Sequence, residues 1–240
     1  MGRIASPGGE LVLRQRGERD FLITVDGRVL MTSTAHRSEC DLAAWVCSDL
    51  EPPRPRVLIG GLGMGYTLRA ALDVLPPGAR VCAAELETGV VDWCRGPLAP
   101  LTGNAIGDSR VEIRVGDVME VVREAAEGRR PAFDAIAIDL FEGPRGDRRE
   151  ETHPLYGSGA LGLFQAALTE RGWLGVWSEA PAQGFVKRLG RLGYETETRR
   201  AGRGGRHHTL FRARPARQAA PGFGRNADHG RARGSHRRRR

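Results

Sequence analysis

From residue 57 onwards, short apolar runs alternate with stretches in which apolar residues recur at helical spacing. Leu68, Leu72 and Leu75 show that spacing, which places them on one face of a helix. Alternating strands and helices are typical of a parallel sheet with helices on both faces. The runs that predict strands are 57–59, 80–85, 110–115, 133–141 and 172–178, and two later runs, 194–199 and 207–213, are close enough to pair antiparallel.

The first 51 residues have a different pattern. Residues 11–31 predict short strands, with the Asp26-Gly27 pair as the turn of a hairpin. A helix follows, because apolar residues again have helical spacing at Leu42, Trp45, Val46 and Leu50. The proline-rich segment 51–56 ends this helix and leads into the α/β region.

The positive charge of the chain is concentrated at its C-terminal end. Residues 212–240 hold ten arginines and one acid, whereas the whole chain carries +8, so residues 1–211 sum to about −1. Such a segment has too little apolar surface to offset the entropy cost of ordering. We expect a small N-terminal β region plus a helix in 1–51, an α/β domain in 52–214 and a disordered Arg-rich tail in 215–240. A weak, nonspecific contact of this tail with nucleic acid is left open.

Cysteine, histidine and tryptophan usage adds further expectations. The four cysteines have no C-x-x-C spacing, which favours structural thiols in a reduced, cytoplasmic protein. No apolar run approaches the roughly 18 residues of a membrane span, so no membrane partner is expected. His207 and His208 lack a third ligand nearby; we interpret them as structural, with one exposed, and expect no metal. The four tryptophans lie in apolar elements and are predicted to be core residues.

The glycine-rich stretch RVLIGGLGMGYTLRAAL, residues 56–72, follows the first strand of the α/β region. A phosphate-binding P-loop needs a lysine after its last glycine, and Tyr66 stands there instead. A dinucleotide-binding loop would start at Gly61 and Gly63, but its third glycine is again replaced by Tyr66. The remaining pattern, G-x-G-x-G over 61–65, is typical of class I S-adenosylmethionine-dependent transferases.

Acidic residues follow the other predicted strands, at the edge of the sheet where ligands bind in such folds. Glu85 ends the second strand and can accept both hydroxyls of a ribose. Asp117 follows the third strand and can accept from an adenine amino group, although a helix N-cap would look the same. Asp139 and Glu142 follow the fourth strand. Together with the loop, these positions favour an adenosyl sulfonium cofactor.

Six stretches, taken in their order, resemble the spermidine synthase (polyamine aminopropyltransferase) family, in particular its short bacterial spermidine synthase-like branch. They are VLIGGLGMG, AAELETGVVDW, RVEIRVGDV, FDAIAIDLFEGP, PLYGSGALGLF and GWLGVWS. The resemblance covers about residues 20–213. It implies a class I methyltransferase-like (Rossmann-like) fold: a seven-stranded, mostly parallel sheet with a short N-terminal β-hairpin region. It also implies transfer of an aminopropyl group from decarboxylated S-adenosylmethionine to a small-molecule amine, and leaves a homodimer open.

The resemblance assigns roles to particular residues of the 52–214 domain. Its implied cofactor-binding residues are Gly60, Gly61, Gly63, Gly65, Glu85, Asp117 and Val118. Its implied catalytic residues are Asp139, Glu142 and Tyr156. The chemistry agrees, because an amine must lose its proton before it attacks carbon, and a carboxylate near the cofactor can accept that proton.

The sequence departs from the family pattern at two places. Synthases carry D-S-S-D-P where this chain has Asp139-Leu140-Phe141-Glu142-Gly143-Pro144. Their glycine loop contains an acid, whereas the non-glycine residues here are Leu62 and Met64. An acid in the loop would repel the carboxylate of intact S-adenosylmethionine, so its loss relaxes the preference for the decarboxylated form. Two alternatives therefore stand beside aminopropyl transfer: a methyltransferase acting on a small molecule, and a non-catalytic cofactor-binding homologue.

Overall fold

The structure, a computed structural model, describes residues 2–6, 8–141, 143–145, 151–202 and 207–216. The strands are β1 (Gly2–Ser6), β2 (Gly9–Gln15), β3 (Phe21–Val25), β4 (Arg28–Thr32), β5 (Arg56–Gly60), β6 (Arg80–Glu85), β7 (Val111–Val115), β8 (Phe133–Ile138), β9 (Leu168–Ser178), β10 (Tyr194–Ala201) and β11 (His208–Pro215). The helices are α1 (Arg37–Cys47), α2 (Tyr66–Val74), α3 (Thr88–Arg95), α4 (Val118–Ala126), α5 (Ser158–Ala167) and α6 (Gln183–Arg191).

The main sheet has seven strands in the order β10-β11-β9-β8-β5-β6-β7. Strands β5 to β9 are parallel, and β11 pairs antiparallel with both β9 and β10. The predicted fold class is therefore confirmed, including the antiparallel pairing of the last two strands. The chain runs outward from β5 to β7 and then returns to β8 on the other side of β5. This reversal is the switch point at which α/β sheets bind ligands.

The N-terminal sheet has four antiparallel strands in the order β1-β2-β3-β4. Asp26 and Gly27 form the predicted turn between β3 and β4, and both have positive φ, 46° and 77°, as a two-residue hairpin turn requires. β1 was not predicted, because its five residues GRIAS contain one large apolar side chain. Ile4 supplies that side chain and packs against Gly89 of α3.

The main sheet buries side chains on both faces. In β5, Val57 and Ile59 face a core shared with α1, α2, α3 and the N-terminal sheet, whereas Leu58 faces the core under α4, α5 and α6. A fully buried strand of this kind reads as a continuous apolar run, which is why it was visible in the sequence. All four tryptophans are buried, as predicted.

The C-terminal boundary differs slightly from the expected one. β11 continues to Pro215, and the Ala216 N–H donates to the carbonyl of Gly193 at 2.7 Å, so residues 215 and 216 extend the fold beyond the expected start of the tail. The remainder of the predicted tail, 217–240, lies outside the described residues. Within the described part of the chain, no helix combines the length and the apolar character needed to cross a membrane.

Arg212 of β11 ties α1 to the outer strands of the main sheet. Its guanidinium lies between two tryptophan rings, 4.1 Å from the centre of Trp173 and 5.0 Å from Trp45. It donates to Asp49 at 2.8 Å, to Glu197 at 3.0 Å and to the Trp45 carbonyl at 3.1 Å. The Arg212 side chain is only 8% exposed, whereas Asp49 and Glu197 are 62% and 48% exposed, so water screens the two ion pairs from the acidic side.

Replacing Arg212 by methionine should lower the free energy of unfolding by about 2 kcal/mol. The variant keeps much of the packing between the tryptophans but loses the ion pairs and leaves the Trp45 carbonyl without its donor. Urea titration followed by tryptophan fluorescence measures the change. The matched control is Arg214→Met, which removes the 2.7 Å ion pair with Glu195, a pair between exposed side chains, and should cost less than about 1 kcal/mol. Equal losses in the two variants would contradict this account.

Candidate active site

The glycine loop begins where β5 ends and packs closely against its neighbours. A Cβ on Gly60 would lie 2.9 Å from Val118 Cγ2 and 2.9 Å from Ile138 Cδ1, and a Cβ on Gly61 would overlap the carbonyl oxygen of Asp139. Gly61, Gly63 and Gly65 have φ values of 93°, 52° and 83°, a region that favours glycine. The loop therefore needs its glycines for close approach and for backbone conformation.

Glu85, at the end of β6, is joined to this loop by its side chain. One carboxylate oxygen accepts from the N–H of Leu62 at 2.9 Å, and the other accepts from the N–H of Glu87 at 3.0 Å. These bonds fix the orientation of the carboxylate while each oxygen keeps a free lone pair. Glu85 is partly exposed, so it can accept further hydrogen bonds from a ligand.

Asp117 and Val118 lie beside Glu85, because the N–H of Gly116 donates to the Glu85 carbonyl at 2.9 Å. Asp117 is the N-cap of α4: its Oδ1 accepts from the N–H of Met119 at 2.9 Å. The side chain is exposed, and the cap occupies one of its two oxygens. The capping role considered from the sequence is thus real, and it leaves Oδ2 available to a ligand.

Asp139 follows β8 and lies directly against the start of the loop. Its N–H donates to the Gly60 carbonyl at 2.9 Å, and its Oδ2 accepts from the hydroxyl of Thr67 in α2. Burial, reinforced by the negative charge of Glu39, raises the pKa of Asp139 to about 7, although the hydrogen bond from Thr67 opposes the shift. The structure therefore brings Gly60, Gly61 and a carboxyl group with a perturbed pKa into one place.

The two other predicted catalytic residues have different outcomes. Tyr156 is buried, stacks on His153 with ring centres 4.9 Å apart, and meets the edge of Phe185. Its backbone carbonyl accepts from Arg188 at 3.0 Å. These contacts place Tyr156 in the core under α5 and α6, and its role in closing a site stays a prediction. Glu142 lies outside the described residues.

Comparison with known proteins links these residues to a family. No family model matches the sequence. A curated protein, the polyamine aminopropyltransferase of Clostridium tetani (strain Massachusetts / E88), is 32% identical over 183 residues, which cover 72% of this chain. The chain is a homologue of the polyamine aminopropyltransferases. The resemblance deduced from the motifs is thereby confirmed. The alignment spans 62% of the length of the clostridial relative.

Solved structures agree with the fold of this aminopropyltransferase homologue. Spermidine synthase from Thermotoga maritima matches with a TM-score of 0.71 at 21% identity, covering 89% of this chain and 72% of its own. A spermidine synthase in complex with the transition state analogue AdoDATO gives 0.70 at 20%, over 89% and 71%. Human methyltransferase-like protein 13, in complex with SAH, gives 0.54 at 18%, over 75% and 82%. At these identities the matches show the fold.

Two residues that the sequence did not single out lie close to Asp139 in this homologue. Thr67 holds the Asp139 carboxylate, and Glu39 of α1 is near enough to raise its pKa. Thr67 and Asp139 are 72 positions apart, and only the pairing of β5 with β8 joins them. No motif spacing could have shown this, although the polar Thr67 in the first turn of an otherwise apolar helix face was a weak indication.

Glu39 is itself held by a hydrogen-bond network around the buried Ser38. The Ser38 hydroxyl donates to Glu39 at 2.6 Å and accepts from the indole N–H of Trp177 at 3.1 Å. His208 Nδ1 lies 2.8 Å from the same hydroxyl. Because the hydroxyl has one proton, which goes to Glu39, His208 Nδ1 must act as a donor.

This network bears on the two neighbouring histidines. His208 has the structural contacts that the sequence indicated, and His207 is exposed, as expected for one of the pair. Among the described residues, no group of three His, Cys, Asp or Glu side chains is arranged to hold a metal ion.

Leu62 and Met64, the non-glycine residues of the loop, have buried side chains. Both are 3% exposed and belong to the core shared with α1 and α2. The Met31 side chain of β4 covers Gly63, with its Cε 3.1 Å from where a Cβ would lie. The loop thus presents backbone and no charged side chain of its own.

Replacing Asp139 by asparagine should stabilise this homologue at alkaline pH. The pKa of Asp139 is about 7 in the folded state and roughly 3.9 in the unfolded chain, so the folded state binds the proton more tightly. This tighter binding stabilises the fold in full below about pH 4. That contribution is lost as the pH rises through 7. Asp139→Asn should therefore gain roughly 1 to 4 kcal/mol at about pH 8 and little at about pH 4.

Urea titrations at the two pH values measure the effect of Asp139→Asn. Asp41→Asn is the control, because Asp41 lies on α1 near Glu39 but is exposed, and it should change stability little at either pH. A variant no more stable than the wild type at about pH 8 would contradict the raised pKa of Asp139.

Proposed function

We propose that this chain transfers an aminopropyl group from decarboxylated S-adenosylmethionine to a small-molecule amine. The observation that carries the proposal is the position of Asp139, whose backbone is bonded to Gly60 and whose carboxylate is held by Thr67. The 32% identity to a polyamine aminopropyltransferase supports the same reaction. The two solved spermidine synthases share the fold of this chain.

The described residues fit an adenosyl ligand. Glu85 offers two oriented carboxylate oxygens, which suit the two hydroxyls of a ribose. Asp117 offers Oδ2 beside them, which suits an exocyclic amino group, and the buried side chain of Val118 supplies an apolar neighbour. When bound, the decarboxylated co-substrate supplies a sulfonium whose adjacent methylene carbon is electrophilic.

The residues around Asp139 prepare the attacking amine. Asp139 accepts a proton from the acceptor ammonium, which frees the nitrogen lone pair for bond formation. A C–N bond then forms as the C–S bond breaks, and the sulfur leaves as a neutral thioether. The second negative charge, on Glu39, favours a cationic acceptor in this region and raises the proton affinity of Asp139. Thr67 keeps the carboxylate in one orientation throughout.

Turnover should increase with pH through about 7, because Asp139 must be ionised to accept the proton. Removing the charge of Glu39 lowers the pKa of Asp139, so Glu39→Gln should move the midpoint of this limb to lower pH. Gln keeps an oxygen that can accept from Ser38, which preserves the local network. Rates at saturating substrates over about pH 5 to 9 measure the midpoint. The control variant Asp41→Asn should leave the pH midpoint unchanged. An unshifted midpoint in Glu39→Gln would show that Glu39 does not raise the pKa of Asp139.

A methyltransferase using intact S-adenosylmethionine is the second candidate. Its specific support is that Leu62 and Met64 are buried, so no side chain of the loop would repel a carboxylate. The fold is also shared with human methyltransferase-like protein 13, at a TM-score of 0.54.

Calorimetric titration with both forms of the co-substrate, followed by mass analysis of products with putrescine and with a metabolite extract, tests the two functions. Aminopropyl transfer predicts tighter binding of the decarboxylated form and a product that has gained an aminopropyl group. Tighter binding of the intact form, with a methylated product, would overturn the proposal in favour of the second candidate. If neither form binds, both functions fail.

A further inference from the structure

A cavity of about 220 Å³ lies at the amino ends of the strands, at the edge of the sheet opposite the glycine loop. Four arginines line it: Arg56, Arg80, Arg110 and Arg130. Arg56 begins β5, Arg80 begins β6, and the two are directly opposite each other in the parallel register. Four positive side chains are thereby brought to one small space at the end of the sheet away from the proposed catalytic groups.

Two of these arginines are already neutralised. Arg110 makes bonds of 2.9 and 3.0 Å to Asp108 and also donates to the carbonyls of Leu72 and Leu75. Arg130 donates to Glu112, the one acid in the cavity lining, at 2.7 Å. These contacts account for the charges of Arg110 and Arg130.

The other two lack such partners. Within the ranges that the structure describes, neither Arg56 nor Arg80 makes an ion pair, and Arg56 Nε is buried without a hydrogen-bond acceptor. The nearby carboxylate of Asp134 accepts instead from the backbone N–H of Arg56 at 2.8 Å and from Thr169. Two guanidinium groups brought together at the ends of neighbouring strands repel each other, and a buried donor without an acceptor carries a further cost.

We propose that this cavity is a binding site for a phosphate group, held by Arg56 and Arg80. Guanidinium groups bind phosphate through paired hydrogen bonds, and a dianion would offset both unpaired charges. Ser109, in the lining, offers a hydroxyl donor. The volume is below the roughly 300 Å³ at which pockets enclose whole drug-sized ligands, so it suits inorganic phosphate or the phosphate end of a larger molecule.

The site is separate from the proposed active site. β5 runs from Arg56 to Gly60, and at about 3.3 Å per residue the two ends are roughly 13 Å apart. A phosphate group bound at Arg56 would therefore leave the glycine loop and Asp139 free, and its binding does not depend on the proposed reaction.

Calorimetric titration of the full chain with inorganic phosphate and with ADP, at constant ionic strength, tests the proposal. Saturable binding is expected, and Arg56→Gln and Arg80→Gln should each weaken it by at least about tenfold, the loss expected when a charged hydrogen-bonding partner is removed. Arg54→Gln is the control, since Arg54 is exposed, lies two residues from Arg56 and is absent from the lining. The Arg-rich segment 217–240 is common to all four proteins, so differences between them report on the cavity.

Arg80 is exposed, so Arg80→Gln keeps the test valid even if Arg56→Gln destabilises the fold. ADP can also bind at the proposed adenosyl site, so only binding that Arg80→Gln weakens reports on the cavity. If that part of the binding is tighter for ADP than for inorganic phosphate, a nucleotide is the source of the phosphate group; if it is equal or weaker, the free ion is the source. No saturable binding of either ligand, or equal binding in the wild type and Arg80→Gln, would overturn the proposed site.

Discussion

The hydrogen bond from the Asp139 N–H to the Gly60 carbonyl holds the two halves of the proposed active site together. It closes the switch point between β5 and β8, where the chain reverses its direction across the sheet. Gly61 must be glycine because the Asp139 carbonyl occupies the space of a Cβ. The loop and the acid are thus one structural unit, and a change that separates the ends of β5 and β8 would disturb both together.

The buried position of Asp139 beside the loop also constrains its charge. Burial and the nearby charge of Glu39 raise the pKa of Asp139 to about 7, so its region is short of positive charge in the isolated chain. A cation bound beside Asp139 would stabilise the carboxylate and lower its pKa again. A carboxyl group with a strongly raised pKa is typical of sites that perform proton transfer, where its ionised form is unfavourable until a ligand binds. The proposed sulfonium and ammonium substrates both supply the missing charge.

Much of the main sheet could be predicted from the sequence because its strands are buried on both faces and read as apolar runs. The acids after those runs, Glu85 and Asp139, could be assigned to one edge because parallel strands end together. Side-chain partners could not be predicted in this way. Thr67 and Glu39 reach Asp139 only through strand pairing and helix packing over long sequence separations, and β1 has too few apolar residues to be recognised as a strand.

The choice between the two co-substrates depends on side-chain directions that the loop sequence does not reveal. The absence of an acid from the loop suggested a simple exchange of a charged side chain for a neutral one. In the structure, Leu62 and Met64 belong to the core, so their side chains contribute to packing. If the proposed co-substrate binds here, we expect the backbone of the loop and the side chains that cover it to discriminate between the two forms. Met31 of β4 lies against Gly63, so the side chain that covers the loop at this point comes from the N-terminal sheet, and we expect it to contribute to this discrimination.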